Sequence, residues 1–308
     1  SIQIALVQLL AQSGQLQAAL DELTNLKENR GNSVAIAMLE AQLWQGLEES
    51  DRSLRVLNRA LREFPDDKNL RFSYARLLIQ DEQYEEAQEQ FSILVEQDPE
   101  DYETYYSIAL LDMEMDNFDQ AVETFTRLVG VDHRVDESQY YLGFLYEQQE
   151  QFDKAIEHYR QVRIGTTNFL AAQQQATRFS IELGQLEDAH QWLSSQSQGQ
   201  PRLEVLFTTI ESGMLIQNQH MDEARELLNT ALNKFPNDSD LLFARVLLFD
   251  TIKDSAASEK DLRQIISMQP EDSRALNHLG YMLADQTTRF EEALELIQRA
   301  IAIAPDDA

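Results

Sequence analysis

Six prolines in 308 residues stand at 65, 99, 201, 236, 270 and 305, separated by 34, 102, 35, 34 and 35 residues. The intervals are one period of 34, three periods taken together, and single-residue departures from it. A sequence with so regular a breaker is a repeat array, and the repeat must be read before any single motif. Three further columns keep the phase. Twelve residues before each proline slot lies a small residue: Ala19, Ser53, Ala87, Ala121, Ala155, Ala189, Ala224, Ser258 and Ala293. Eight before it lies a large apolar one: Leu23, Leu57, Phe91, Phe125, Tyr159, Leu193, Leu228, Leu262 and Ile297. Upstream runs a mostly small column: Val7, Ala41, Ala75, Ala109, Gly143, Thr177, Ser212, Val246 and Gly280. Helices approach closely only where side chains are short, and a bulky residue one turn on fills the remaining space. Proline then stops the second helix. Each unit reads as a helical hairpin that buries its faces only by stacking on its neighbours.

These columns and the period resemble the tetratricopeptide repeat family over essentially the whole chain. The resemblance implies an all-α fold, an α-α superhelix (solenoid) of about nine tetratricopeptide helical hairpins. The units fall at about 1–33, 34–67, 68–101, 102–135, 136–169, 170–203, 204–238, 239–272 and 273–308. One inserted residue is expected near Pro201–Glu204 and one in the turn Asp285–Arg289. They group the chain into units one to six (1–203) and seven to nine (204–308) of one continuous superhelix. Lys253–Glu259 reads as a weak hairpin turn. Both ends read as cuts from a longer chain.

Composition excludes several kinds of chemistry. The 54 acidic residues against 25 Lys and Arg give a net charge of −29, which repels nucleic acid. With no cysteine there is no disulfide, thiolate metal site or cysteine nucleophile. The five histidines fall in different repeats without a zinc-ligand spacing, so no metal is expected. Phosphate loops and nucleophile elbows are absent, no cofactor is implied, and no apolar run is long enough to span a bilayer. A thin solenoid seldom encloses the pocket that perturbs a catalytic carboxylate, so the chain reads as no enzyme. A hydrolase with a carboxylate pair in the groove is the alternative of another class. The loops after the prolines carry acidic residues (Asp66-Asp67, Glu100-Asp101, Asn237-Asp238, Glu271-Asp272) just before the next helix, where carboxylates cap free N–H groups.

In the family, certain positions of each first helix face a concave groove. On this sequence they select Phe72, Arg76, Tyr106, Leu110, Met113, Tyr140 and Phe144, with Arg178 and Arg76 bracketing the aromatic stripe. Two readings of the aromatics compete: anchors for a bound peptide or helix, or core that closes the inner side of the superhelix. No lysine stands in these columns, so the family's carboxylate clamp for acidic C-terminal peptides is disfavoured. The charge suggests basic partners that associate in a salt-sensitive way.

Two stretches go further. Tyr159-Arg160-Gln161-Val162-Arg163-Ile164-Gly165, running to Ala171-Ala172-Gln173, ends its unit in a Val-x-x-Gly turn. The last unit, Leu279 to Thr287 with Arg289, Glu292-Ala293 and Ala304-Pro305-Asp306-Asp307, has a lengthened turn. Both resemble a group of tetratricopeptide outer-membrane lipoproteins of gammaproteobacteria. The resemblance implies a periplasmic adaptor, outer-membrane-anchored by lipid in full length, that brings basic cell-wall hydrolases to a carboxyl-terminal processing protease. A scaffold for envelope polysaccharide or pilus assembly is the alternative role, and the cytoplasm the alternative compartment.

Overall fold

A computed structural model describes residues 2–305, and Asp306 and Asp307 of the last repeat lie outside the described residues. Among the described residues there are eighteen helices and no strand. Packing divides the chain into two compact units, the first ending at Leu145 and the second starting at Tyr146, inside helix α9. This division is one of packing and is distinct from the grouping of repeats at 203/204.

The first unit holds α1 (Ile2–Gln12), α2 (Leu16–Arg30), α3 (Val34–Gly46), α4 (Ser50–Glu63), α5 (Lys68–Gln80), α6 (Tyr84–Gln97), α7 (Tyr102–Glu114), α8 (Phe118–Gly130) and most of α9 (Val135–Gln148). The second holds α10 (Phe152–Gln161), α11 (Phe169–Glu182), α12 (Leu186–Ser197), α13 (Pro201–Gln217), α14 (Met221–Lys234), α15 (Ser239–Thr251), α16 (Ser255–Met268), α17 (Ser273–Gln286) and α18 (Phe290–Ile303). Within the units the helices pair into hairpins, α1 with α2, α3 with α4, α5 with α6 and α7 with α8 in the first, and α11 with α12, α13 with α14, α15 with α16 and α17 with α18 in the second. Successive even helices start 34 residues apart except for two intervals of 35, from Leu186 to Met221 and from Ser255 to Phe290.

The registered columns are the contacts between helices. Ala19, Ser53, Ala87, Ala121, Ala155, Ala224 and Ser258 are fully buried, as are Ala75, Ala109 and Val246 of the upstream column. In the second hairpin the two columns touch, and Ser53 Oγ donates to the Ala41 carbonyl at 2.9 Å. The large column fills the space beside them, with Phe91, Phe125, Leu228 and Leu262 sealed from solvent.

Helix boundaries follow from local chemistry. The second residue after each of four prolines is an acidic N-cap: Asp67, Asp101, Asp238 and Asp272 accept from the N–H groups of Leu70, Thr104, Leu241 and Ala275 at 2.8–3.1 Å. The turn inside each hairpin uses another device. At Gly14, Glu48, Glu82, Asp116, Glu150, Gly184, Gln219 and Lys253 the backbone is left-handed, with φ between 57° and 78°. The next residue's N–H reaches back five residues, as from Glu49 to Trp44 and from Gln83 to Leu78, both at 2.9 Å. This is the Schellman ending of a helix. In the last hairpin Thr287 is extended instead, φ −140°, where the inserted residue lengthens the turn.

Two expectations are corrected. Pro201 does not stop a helix but opens α13 at its first turn. There a missing N–H costs nothing and the fixed φ suits the helix. The hairpin turn expected at Lys253–Glu259 is instead confined to residues 252–254, since α16 begins at Ser255 with Asp254 accepting from the Ala257 N–H at 3.1 Å. The Val-x-x-Gly ending of the fifth repeat is present. Helix α10 stops at Gln161, Val162 is extended, and Gly165 takes φ 90°.

Candidate protein-binding surface

In the first unit, α5 and α7 bury Ala75 and Ala109 at helix crossings and turn other faces toward an open cavity. Residues three and four apart share a helix face, so Phe72, Arg76 and Ile79 come together on α5, and Tyr106 and Leu110 on α7. These five line a cavity of about 510 Å³, with Phe91 and Tyr84 from α6, Tyr141 from α9, and Glu103, Ser107 and Glu114. Four of the eight residues expected in a groove thus share one concavity.

The two predicted aromatics in this lining, Phe72 and Tyr106, also touch the core. The Phe72 ring stands edge-on to buried Phe91 at 5.5 Å between centroids, and Tyr106 likewise to buried Phe125 at 6.0 Å. Tyr141 stacks on the same Phe125 at 5.2 Å. Phe72 and Tyr106 stay half-buried, so one side of each ring belongs to the core and another to the cavity. The Tyr106 hydroxyl is hydrogen-bonded to Tyr141, and burial first, then the neighbouring Tyr141, pushes its ionisation well above the ordinary phenol range. The phenol is therefore neutral at any physiological pH and keeps a polar atom beside the cavity.

The Tyr106 ring is also covered by the Arg134 guanidinium, 4.6 Å from its centroid. Glu103 holds that guanidinium by two hydrogen bonds of 2.9 and 2.8 Å. The Arg134 hydrogen bond is also the main cause of the lowered Glu103 carboxyl pKa. Arg134 itself is left-handed, φ 45°, in the loop that replaces a stop proline after α8.

Arg76 is exposed and makes no ion pair or hydrogen bond among the described residues. It also lines a second cavity of about 260 Å³, with Met38, Gln42 and Gln45 of α3 and Ser73 and Gln80 of α5. The inward columns of α3, α5 and α7 therefore pass from an amide-rich hollow, past a free cation, to an aromatic one.

The other expected residues sit elsewhere. Met113, Tyr140 and Phe144 are half-buried and outside these linings; Tyr140 meets Tyr141 edge-on at 5.7 Å. Arg178 belongs to the second unit. There it pairs with Glu147 at 2.9 Å and lies over the Phe179 ring at 4.2 Å. Its charge is compensated, so it is no counterpart to Arg76. In the same unit the inward columns give exposed Leu247 and Tyr281, and Phe243 and Asn277 line a cavity of about 370 Å³ with Arg274, His278 and Ile301.

Sequence reasoning missed Tyr141, Arg134 and Glu103. Tyr141 lies one position off the inward column, and Arg134 and Glu103 are 31 residues apart, so neither shows in the spacing of one repeat. Among the described residues no three His, Asp or Glu side chains cluster to hold a metal ion, and no helix is long and apolar enough to cross a membrane.

Two family models, both described as tetratricopeptide repeat, match the chain, one at residues 48–110 and the other at 106–169 and 253–308. TPR repeat-containing protein PA4667 of Pseudomonas aeruginosa is 40% identical over 299 residues. That match takes in 97% of this chain and 50% of the relative, so the chain spans about half the relative's length. Among solved structures, the C-terminal part of a TPR repeat-containing protein from Cytophaga hutchinsonii superimposes with a TM-score of 0.53 at 14% identity, over 89% of this chain and 98% of that one. A tetratricopeptide repeat protein from Parabacteroides merdae gives 0.47 at 12%, over 97% of each.

Proposed function

Because the chain belongs to the tetratricopeptide repeat family, we propose that it is a non-catalytic scaffold acting as an adaptor between a carboxyl-terminal processing protease and basic cell-wall hydrolases. The compartment in this proposal is the periplasm, with a lipid anchor in the full-length protein. The family's role in holding protein partners supports the scaffold. The finer role rests on the resemblance of the fifth and ninth repeats to envelope lipoproteins, and on a charge of −29 suited to basic clients.

The single observation that carries the binding reading is the open cavity of Phe72, Ile79, Tyr106 and Leu110. An apolar hollow rimmed by Arg76, Glu103 and Ser107 can take a large side chain of an extended segment. The polar groups beside it can then meet that segment's backbone. No association of this kind requires a covalent step.

The test is capture from an envelope extract with the wild-type chain and with a Tyr106→Ala/Leu110→Ala variant. The proposal expects a processing protease together with cell-wall hydrolases on the wild type, and loss of at least one of them on the variant with the helical CD signal unchanged. Recovery of polymer-export or pilus components instead would replace this role by assembly scaffolding. A hydrolytic activity that co-purifies with the chain and dies with one carboxylate substitution would refute the non-catalytic reading.

A further inference from the structure

The acidity of the chain is uneven. Between residues 51 and 80 stand seven Lys and Arg (Arg52, Arg55, Arg59, Arg62, Lys68, Arg71, Arg76) against four acids (Asp51, Glu63, Asp66, Asp67), a net +3 within a chain of −29. Arg52, Arg55, Arg59 and Arg62 recur at intervals of three, four and three, so they share one face of α4. Arg52 is occupied by Glu49 at 3.5 Å and by the Trp44 ring at 4.5 Å. Arg55, Arg59 and Arg62 are exposed and have no ion pair, hydrogen bond or ring contact among the described residues.

The surroundings do not neutralise them. The three arginines rim a cavity of about 440 Å³ with Asp51, Leu54, Asn58, Tyr74 and Gln83. Of the two acids on α4, Glu63 accepts from Asn32 at 2.7 Å, leaving Asp51 as the one carboxylate in the cavity lining. Asn58 donates to the Tyr74 hydroxyl at 2.9 Å, which pins the ring in the wall. Three guanidiniums thus span roughly 10 Å along the helix axis, above a hollow walled in part by Leu54 and Tyr74.

We propose that this face of α4 and α5 docks an acidic protein segment carrying carboxylates at one-turn spacing and an apolar side chain between them. Charge complementarity selects the occupant. Guanidinium forks match carboxylates in paired hydrogen bonds, and a short segment can sit on the patch without meeting the acidic remainder of the chain. A bilayer or a nucleic acid would extend past the patch and be repelled there. This site is separate from the aromatic cavity and stands or falls without it.

The test measures fluorescence anisotropy of two labelled peptides on the intact chain. One is a helical Glu/Ala/Leu peptide with glutamates one turn apart, the other its Gln counterpart. The Glu peptide should bind at least about tenfold more tightly, and should weaken as salt rises. Arg55→Glu/Arg59→Glu/Arg62→Glu should abolish the preference, with the CD spectrum and thermal midpoint as the check on folding. The single Arg59→Gln should weaken it several-fold should the triple variant fail to fold. Arg202→Glu, at an exposed arginine of the second unit, should leave it intact. Equal binding of the two peptides, or a preference that survives the triple reversal, would overturn the proposal. So would phosphatidylglycerol vesicles binding through these arginines in place of the peptide, or a concentration-dependent dimer lost with them, because the occupant would then be a membrane or a second copy.

Discussion

Gly280 sits where an added Cβ would come within 2.6 Å of Ile297 Cγ1 and 3.1 Å of the Ala293 carbonyl. Gly280→Ala should therefore lower stability by about 1–3 kcal/mol through overpacking, read as a fall in thermal midpoint. Ala121→Leu should do at least as much, because Ala121 is fully buried at the equivalent crossing. The left-handed column makes an opposite prediction. Glu82 adopts φ 58°, a conformation costly to any residue with a Cβ. Glu82→Gly should raise the midpoint by an amount worth about 0.5 kcal/mol, after the loss from a more flexible unfolded chain. Gly184→Ala, at φ 75°, should lower it by about 1 kcal/mol. If Glu82→Gly destabilises instead, strain in these turns is absent and the turn assignment fails.

Between elements, caps and ion pairs join one hairpin to the next. Asp272→Ala removes the cap of α17 and should cost about 1 kcal/mol, while Asp272→Asn should recover most of it. Glu259 on α16 accepts from Arg289, before α18, and from Arg263; those hydrogen bonds, Arg289 foremost, bring its pKa down to about 2. Because the folded value lies below the unfolded one, near 4.3, the contribution is fully present above that pH. It is lost as pH falls toward 2. The group is partly open to solvent, so the effect is small. Glu259→Gln should thus lower the thermal midpoint at pH 7 and have progressively less effect toward pH 2. An equal effect at both ends would show that the ion pairs do not stabilise the hairpin.

For the whole molecule, a charge of −29 on 308 residues acts against compaction. Raising ionic strength from a few millimolar to about 0.15 M should raise the thermal midpoint, since screening shortens the reach of that repulsion to about 8 Å. The same change should weaken capture of basic partners. A client that binds equally in both conditions would be held by the aromatic cavity and not by the field. The net figure also conceals the basic face of α4, because a total carries no information on where charges lie.

The period, the hairpins, the small columns and the capping acids were all legible in the residues. Each depends on sterics or hydrogen bonding within a few positions along the chain, repeated in register. Ala121 and Asp272 announce their roles by position alone. Proline was a less certain guide, since its ring suits both the residue after a helix and the first turn of one, and Pro201 takes the second place. The candidate site was half legible: Phe72, Arg76, Tyr106 and Leu110 were marked by column. The division of each ring between core and cavity, the Tyr141 hydroxyl, and the Arg134–Glu103 clasp arise where neighbouring repeats meet. So does the difference between Arg178, compensated by Glu147, and Arg55, Arg59 and Arg62, which make no ion pair among the described residues. Partners about one repeat apart come into contact only through the rotation from one hairpin to the next, and a linear period does not encode that rotation.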